Sequence, residues 1–313
     1  MTEQVILDKK MITKPLIKWV GGKTQILHEL LPKFPREMCN YHEVFLGGGS
    51  VLLALLSYVK NGLIKCSGTV YAYDANEPLI SLYKNIQLNP NELFESISTF
   101  KNIYTGIEQL KGNQKPLTID DSLTSRESYY FWVRKQYNLL SKDEKNGITG
   151  SAMLLFMNKT CFKGIFRVGP NGFNVPYRNN RNPEIANLEH IMEVSELIKN
   201  VVFTHSSFET SIGNITDGDF AYLDPPYVPK GDTRSFVGYT NDGFAETQHL
   251  ALFNICNQLK QKNIKMMMSN SCTDLVTDNF STELFTIDKI VCKRLINSTN
   301  PKDTAKEVVI TNY

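Results

Sequence analysis

The chain has 313 residues, of which 42% are hydrophobic and 21% charged, and its 34 basic and 32 acidic residues nearly balance. These values are close to those of ordinary globular proteins, so they exclude a mainly disordered chain and a polybasic tail protein. The first residues include an acid and lack the apolar core of a signal peptide, and no stretch approaches the roughly 20 apolar residues of a membrane span.

Short apolar segments rich in β-branched and aromatic residues alternate with helical patterns along most of the chain. The predicted strands are Tyr41–Leu46, Thr69–Tyr73, Asn200–His205, Asp219–Leu223, Asn263–Met268, Glu283–Val291 and Lys306–Asn312. The predicted helices are Lys23–Leu31, Ser50–Asn61, Glu77–Leu88, Pro183–Lys199 and Ala245–Gln261. Strands that alternate with helices in this way predict an open α/β sheet of seven strands.

The middle of the chain has a different pattern. From about residue 91 to 158 the signals are helical, and they are clearest at Ser125–Leu140 and Ser151–Asn158. The next segment, Asn158–Tyr177, is rich in Gly, Asn and aromatic residues and predicts a loop or hairpin. We therefore predict an α/β part formed by residues 1–90 and 183–313, interrupted by a mainly helical insert over residues 91–182.

The insert carries an unbalanced positive charge. No acidic residue occurs between Glu144 and Glu184, whereas the same stretch contains Lys145, Lys159, Lys163, Arg167, Arg178 and Arg181. Basic residues interleaved with aromatic ones are typical of a nucleic-acid contact surface. A solvated basic loop has the same composition, so both interpretations stay open.

A glycine-rich segment follows the first strand and precedes a helix. It runs from Glu43 to Val51 and contains Phe45, Gly47, Gly49 and Ser50. Glycines at such a turn let the backbone approach a ligand, and the helix behind it offers free N–H groups. The next strand ends at Asp74, where a carboxylate is placed to accept hydrogen bonds from two ribose hydroxyls. The pair predicts a cofactor site, although a simple tight turn is the alternative.

A second glycine-containing segment surrounds Trp19, Gly21, Gly22 and Lys23 near the start of the chain. The sequence Gly-Lys-Thr invites a phosphate-loop interpretation, but that motif needs a glycine where Ile17 stands. We reject that interpretation. A cofactor lid and a capping loop both stay open.

The third motif, Asp224-Pro225-Pro226-Tyr227, directly follows a predicted strand. The Asp224 carboxylate and the Pro225 carbonyl can both accept hydrogen bonds, and Tyr227 supplies a flat face beside them. Two acceptors that hold the N–H bonds of an exocyclic base amine favour its nucleophilic form, and stacking holds the base still. A sulfonium methyl donor suits such a site. An ordinary proline turn at the end of a strand is the alternative.

The order of these motifs resembles the α-class DNA adenine-N6 methyltransferases of the Dam type, which modify adenine in GATC, and especially their restriction-modification branch. Ser235–Phe244 and Met268–Asn270 also match that family. The resemblance implies a Rossmann-like sheet of about seven strands that uses S-adenosylmethionine and releases S-adenosylhomocysteine. It also implies an inserted helical DNA-recognition domain with a hairpin at residues 158–177, which binds double-stranded DNA.

The resemblance implies roles for particular residues. The catalytic residues would be Asp224, Pro225, Pro226 and Tyr227. The S-adenosylmethionine site would contain Trp19, Gly21, Lys23, Phe45, Gly47, Gly49, Ser50, Asp74, Phe208 and Asp224. The DNA contacts would be Lys18, Lys159, Phe162, Lys163, Ile165, Arg167, Asn174, Pro176 and Arg178. Among these, Phe162 would wedge into the base stack, and Lys18, Ile165, Arg167 and Pro176 would meet bases.

Six cysteines occur without a CxxC pair or zinc-finger spacing, so we expect reduced thiols, no metal and a cytoplasmic location. A cognate restriction endonuclease would be a natural partner of the restriction-modification branch, and no membrane contact is expected. Two competing functions stay open, namely a methyltransferase acting on an RNA or protein amine and an inactive DNA-binding relative. Transfer of labelled methyl groups to methyl-free duplex DNA would separate them.

Overall fold

A computed structural model describes residues 8–108, 112–179, 183–229, 244–293 and 304–313 of the chain. The described strands are β1 (Glu37–Met38), β2 (Tyr41–Glu43), β3 (Lys65–Cys66), β4 (Val70–Asp74), β5 (Val168–Gly169), β6 (Gly172–Phe173), β7 (Val201–His205), β8 (Phe220–Leu223), β9 (Lys265–Ser271), β10 (Thr286–Lys293) and β11 (Thr304–Thr311). The described helices are α1 (Leu27–Leu30), α2 (Ser50–Lys60), α3 (Glu77–Leu88), α4 (Pro90–Gly106), α5 (Ile119–Ser122), α6 (Arg126–Leu139), α7 (Lys142–Asn146), α8 (Ile148–Thr160), α9 (Leu188–Ile198), α10 (Phe208–Gly213), α11 (Glu246–Gln261) and α12 (Asp274–Thr277).

These elements form two compact units. The first unit contains residues 8–14, Lys23–Ala75 and Asn200–Tyr313, and the second contains Pro15–Gly22 and Asn76–Lys199. The second unit thus includes α3 and α9, which the predicted boundaries at residues 91 and 182 left in the α/β part. The role of the predicted insert in DNA recognition stays a prediction.

The first unit is built on a mixed sheet of seven strands in the order β10-β11-β9-β8-β2-β4-β7. The strands from β9 to β7 in that order pair in parallel, whereas β11 is antiparallel to β9 and to β10. Every predicted strand corresponds to one of these seven, so the predicted seven-stranded α/β sheet is confirmed. These strands could be predicted from short apolar runs because central parallel strands are buried on both faces.

The core of the first unit lies where the sheet meets α10, α11 and α12. The strand β8 is buried along its whole length, and Leu252, Phe253 and Cys256 of α11 pack into the same cluster as Met266 and Met268 of β9. This packing holds the carboxyl end of β8 in a rigid frame. The segments that follow the central strands are therefore anchored at one end.

The second unit is mainly helical. Its helix α8 is buried on nearly all sides, and its buried residues include the polar Ser151, Asn158 and Thr160. The Phe156 ring on α8 has its centroid within 6 Å of those of Phe100, Tyr104 and Tyr129, which come from α4 and α6. An antiparallel pair, β5–β6, confirms that a hairpin lies within the segment predicted to be a loop or hairpin.

Two predicted helices differ from the observed ones. The predicted helix over Lys23–Leu31 is reduced to α1, because residues 23–26 form a turn and a short 3-10 segment, Leu31–Lys33, follows α1 directly. The helix predicted from Pro183 begins at Leu188, where Asn187 caps it by accepting a hydrogen bond from the His190 N–H. None of the helices in the described ranges has the length and apolar character needed to cross a bilayer.

Candidate functional site

The carboxyl ends of β2 and β8 mark the topological switch point of the sheet. Strand β2 pairs in parallel with β4 on one side and with β8 on the other. In open α/β sheets, ligands bind in the crevice outside the carboxyl ends of the strands at such a point. The glycine-rich segment follows β2 and the Asp-Pro-Pro-Tyr motif follows β8, so two of the three sequence motifs flank the switch point.

The glycine-rich segment forms a tight turn whose backbone requires glycine. Gly47 and Gly49 have φ angles of 51° and 68°, in the left-handed region that strains other residues. The Gly49 N–H donates to the Leu46 carbonyl at 2.9 Å, and α2 begins at the next residue, Ser50. The turn therefore leads directly into a helix N-terminus.

Asp74 and two phenylalanines complete this end of the sheet. The Gly47 N–H donates to the Asp74 carboxylate at 2.9 Å, which ties the turn to the end of β4. The rings of Phe45 and Phe208 stack with centroids 5.9 Å apart. A carboxylate suits a ribose diol and aromatic faces suit an adenine ring, so these residues fit a nucleoside cofactor such as S-adenosylmethionine.

Lys23 and Asp224 form a buried ion pair beside the motif. The Lys23 Nζ lies 2.6 Å from Asp224 Oδ2, and the two side chains are 5% and 18% exposed. The Lys23 backbone N–H also donates to the Ser50 hydroxyl at 3.0 Å, which attaches this lysine to the start of α2. Burial raises the pKa of Asp224, and the Lys23 ammonium opposes that effect.

The second oxygen of Asp224 is the distinctive atom of the site. Oδ1 is buried and has no hydrogen-bond partner within the described part of the chain. A buried polar atom without a partner costs free energy of roughly 1 to 3 kcal/mol. The carboxylate is therefore held by one oxygen and presents the other as an acceptor.

Tyr227 lies next to the same ion pair. Its ring centroid is 4.8 Å from Lys23 Nζ, and its hydroxyl donates to Glu307 Oε2 at 2.9 Å. Burial raises the pKa of Tyr227 well above its usual value, and the nearby charges of Asp224 and Glu307 add to this effect. The tyrosine stays protonated and neutral at physiological pH, which suits a stacking surface.

In the second unit, one asparagine joins the segment Pro15–Gly22 to the hairpin. Asn158 Oδ1 accepts from the Lys18 N–H at 2.9 Å, while its Nδ2 donates to the carbonyls of Lys18 and Gly164 at 2.8 and 3.0 Å. The Trp19 ring stacks on Phe166 with centroids 5.5 Å apart. The predicted contact of Trp19 with the cofactor stays a prediction, as does that of Gly21.

The base of the hairpin is closed by backbone hydrogen bonds. The Phe162 N–H donates to the Pro176 carbonyl at 2.9 Å, and the Arg178 N–H donates to the Thr160 carbonyl at 3.0 Å. Near the tip, Arg167 Nε donates to Asn174 Oδ1 at 2.6 Å. Two of the predicted DNA-contacting side chains are thus brought together by the hairpin itself.

The predicted DNA-contacting residues differ in exposure. Those with exposed side chains are Lys18, Phe162, Arg167, Asn174, Pro176 and Arg178. Lys163 and Ile165 are half-buried, and Lys163 Nζ lies 5.3 Å from the centre of the Phe162 ring. Lys159 is also half-buried and lines a small pocket with Glu184, and burial lowers its pKa. Arg181 and most of Ser235–Phe244 lie outside the described residues.

Comparison with known proteins identifies the family. The family described as D12 class N6 adenine-specific DNA methyltransferase matches residues 19–294. The chain is also 33% identical to the Type II methyltransferase M.MjaIII of Methanocaldococcus jannaschii, over 97% of this chain and 100% of that protein. The chain belongs to the D12 class of N6 adenine-specific DNA methyltransferases.

Two further relatives of this D12-class chain have related names. The Type II methyltransferase M1.LlaDCHI of Lactococcus lactis subsp. cremoris is 29% identical over 98% of this chain and 99% of its own. The Retron Ec67 DNA adenine methylase of Escherichia coli is 28% identical over 94% of this chain and 90% of its own. The predicted enzyme class, an adenine-specific DNA methyltransferase, is confirmed, and adenine DNA methyltransferases use S-adenosylmethionine.

Sequence reasoning missed several residues around the methyltransferase motifs. Glu43, the last residue of β2, is fully buried, and its carboxyl oxygen Oε2 accepts from the Tyr41 hydroxyl at 2.8 Å. An acid between an apolar strand and a glycine turn was a usable signal for it. Asn158 and Glu307 had no such signal, because an asparagine in a polar segment and a glutamate in a strand are ordinary features.

Proposed function

We propose that this D12-class enzyme transfers a methyl group from S-adenosylmethionine to N6 of an adenine in duplex DNA, within the sequence GATC. The observation that carries the catalytic part is Asp224, whose Oδ2 binds Lys23 at 2.6 Å while the buried Oδ1 lacks a partner among the described residues. An adenine amino group presented to Oδ1 would satisfy that atom.

The roles of the catalytic residues follow from hydrogen-bond chemistry. Asp224 Oδ1 and the Pro225 carbonyl accept the two N–H bonds of the adenine amino group, which localises its lone pair for attack. Tyr227 stacks against the base, and Pro225 and Pro226 stiffen the turn that carries these groups. Lys23 keeps the Asp224 carboxylate charged and oriented. Positioning of this kind supplies much of the rate of group-transfer reactions.

The cofactor would be held by the first unit. Asp74 binds the ribose hydroxyls, the stacked pair of Phe45 and Phe208 offers an aromatic surface for the adenine ring, and the turn at Gly47 and Gly49 approaches the cofactor with its backbone. When bound, S-adenosylmethionine supplies an electrophilic methyl group on a sulfonium. The adenine amino group, held by Asp224 Oδ1 and the Pro225 carbonyl, would take up this methyl group and release a proton to water. S-adenosylhomocysteine is the product, and we expect no metal to be needed.

Target recognition would belong to the second unit. The exposed hairpin side chains Phe162 and Arg167 support this role, because an arginine can bond guanine in a bidentate way and an aromatic wedge can fill the gap left by a flipped base. Flipping of the adenine costs a few kcal/mol of unstacking. Ile165 and Pro176 suit apolar contacts with thymine methyl groups, and Lys18 a contact with guanine.

The names of the relatives support a restriction-modification context. Two of them are called Type II methyltransferases, so we propose that a cognate restriction endonuclease accompanies this enzyme. A digestion assay with crude extract on methylated and unmethylated GATC plasmids would test that partner.

The catalytic assignment is tested with Asp224→Ala and Asp224→Asn, and with Asp217→Asn as the control at an exposed carboxylate of the same unit. Tritiated methyl transfer is measured on a methyl-free duplex with one GATC site, on its single-base variants, on RNA and on protein. We expect both Asp224 variants to lose transfer by at least about 100-fold, given the size of such electrostatic contributions, and the control to retain it.

Three results would contradict parts of this proposal. Near-normal turnover in Asp224→Ala would overturn the catalytic assignment. Equal methylation of GATC and its variants would overturn the recognition sequence. Transfer to RNA or protein in place of DNA would overturn the substrate.

A further inference from the structure

Three side chains on the strands β9 and β11 contact the end of the Asp-Pro-Pro-Tyr motif and the residue after it. They are Asn270 and Ser271, the last two residues of β9, and Glu307 of β11. Glu307 and Ser271 stand opposite each other in the antiparallel ladder between these strands. None of the three was among the predicted site residues, and the proposed chemistry does not use them.

Asn270 and Ser271 hold the backbone of Val228. The Val228 N–H donates to Asn270 Oδ1 at 3.1 Å, and the Val228 carbonyl accepts from the Ser271 hydroxyl at 2.6 Å. The Ser271 N–H also donates to Asn270 Oδ1, at 2.8 Å, which fixes the orientation of the amide. Val228 is 5% exposed, so side chains of β9 satisfy both of its buried backbone groups.

Glu307 holds the other end of the same stretch. Its Oε2 accepts from the Tyr227 hydroxyl at 2.9 Å. The Tyr227 ring can rotate about its side-chain bonds, and this hydrogen bond fixes the hydroxyl end of the ring. The neutral, protonated state of Tyr227 keeps that hydrogen bond intact at physiological pH.

The two prolines explain why such contacts are needed. Pro225 and Pro226 have no backbone N–H, so neither residue can donate a ladder hydrogen bond to the sheet. Rigid proline geometry sets the direction of the chain, but it does not anchor the residues that follow. Side chains of neighbouring strands supply an anchor for them.

We propose that Asn270, Ser271 and Glu307 form a positioning clamp that fixes the Tyr227 ring and the Val228 backbone for methyl transfer. This inference rests on the proposed catalytic role of residues 224–227. The clamp touches no reacting atom, so it acts through Tyr227. A misplacement of about 1 Å at a reacting centre costs on the order of 100-fold in rate, which is the scale of effect expected from loss of the clamp.

The central test compares Glu307→Ala, Glu307→Gln, Tyr227→Phe and the double variant of Glu307→Ala with Tyr227→Phe. Tyr227→Phe keeps the stacking ring but removes the hydroxyl, so Tyr227→Phe and Glu307→Ala remove the same hydrogen bond. We expect each to lower kcat by roughly 10- to 100-fold, with the KM for S-adenosylmethionine changed by less than about twofold. The double variant should be no slower than the slower single variant.

Glu307→Gln distinguishes positioning from a general structural effect. A glutamine oxygen can still accept from the Tyr227 hydroxyl, so this variant should recover most of the lost kcat. Lys289→Ala, at an exposed position on the neighbouring strand β10, is the matched control and should behave as the wild type. Thermal unfolding of each variant reports whether it folds.

Ser271→Ala keeps the proposal testable if Glu307→Ala does not fold, because it removes only one hydroxyl. It should lower kcat and leave the KM for S-adenosylmethionine unchanged. A kcat within twofold of wild type in folded Glu307→Ala, or in Ser271→Ala in its place, would overturn the clamp. So would a double variant in which the fall in kcat equals the product of the two single falls.

Asp224→Ala, measured in parallel, separates this failure from failure of the proposed function. Full activity in Asp224→Ala overturns the catalytic assignment itself. An inactive Asp224→Ala together with a normal Glu307→Ala overturns the clamp alone.

Discussion

The buried Glu43 carboxyl beside the glycine turn should make the stability of this enzyme depend strongly on pH. Burial raises the pKa of Glu43 from 4.5 to about 8. Between about pH 4.5 and about pH 8, Glu43 has lost its proton in the unfolded chain but keeps it in the folded chain. The folded state therefore binds more protons than the unfolded state, and the stability falls from about pH 4.5 to about pH 8.

The size of this effect follows from the two pKa values. Each pKa unit corresponds to about 1.4 kcal/mol, so the difference between 4.5 and about 8 gives an upper bound of about 5 kcal/mol. By linkage, Glu43 costs about 1 kcal/mol at pH 5 and about 3 kcal/mol at pH 7. The wild type should lose about 2 to 3 kcal/mol between these pH values through this residue alone.

Urea unfolding of the wild type and Glu43→Gln at pH 5, 6, 7 and 8 measures this loss. Glutamine does not ionise, so the free energy of unfolding of Glu43→Gln should fall less with pH, and the difference between the two proteins isolates Glu43. Glu37→Gln is the control, because the Glu37 side chain is 76% exposed and should show no such difference. Parallel curves for wild type and Glu43→Gln would mean that Glu43 is ionised in the folded protein and would refute the reasoning.

Three further substitutions test the remaining parts of the site. Lys23→Met should destabilise the protein by about 3 kcal/mol and lower kcat, because it leaves the Asp224 charge buried and unpaired; unfolding midpoints and turnover check this, and unchanged values would contradict it. Asp74→Ala should weaken binding of S-adenosylmethionine in calorimetry and leave the DNA affinity nearly unchanged. An unaltered cofactor affinity would contradict the assignment of Asp74 to the ribose hydroxyls. Arg167→Ala should reduce discrimination between GATC and its single-base variants by roughly 1 to 3 kcal/mol at fixed salt. Arg178→Ala removes an expected phosphate contact and should lower the methylation rate of all these sites by the same factor. A uniform loss in Arg167→Ala would make that residue a backbone contact.

The strands and most helices could be predicted because their signals are local. The run Phe220–Leu223 is apolar at every position, and the glycines after Glu43 require backbone angles that only glycine adopts easily. The start of α9 was predicted five residues early, since the capping role of Asn187 depends on a hydrogen bond that the apolar pattern does not encode. The helix at Lys23 was predicted too long for a related reason, because the backbone there binds Ser50.

In the predicted hairpin, too, the sequence indicated the composition of the surface but not its tertiary contacts. Its composition indicated a basic, aromatic surface, but not which side chains are exposed. Lys159 was expected to contact DNA, yet it is half-buried beside Glu184, and that contact stays a prediction. The exposed Arg178 is the better control for a phosphate contact, because its charge is in the solvent.

Residue order along the chain thus determined the strands, the glycine turn, the Asp-Pro-Pro-Tyr motif and, through them, the enzyme class. These features depend on backbone preferences and on apolar spacing over a few residues. Tertiary structure alone paired Lys23 with Asp224, which are 201 residues apart, and Tyr227 with Glu307, which are 80 residues apart. The physical reason is the order of the sheet: β9 pairs with both β8 and β11, and the local sequence contains no information on which distant strand will become a neighbour.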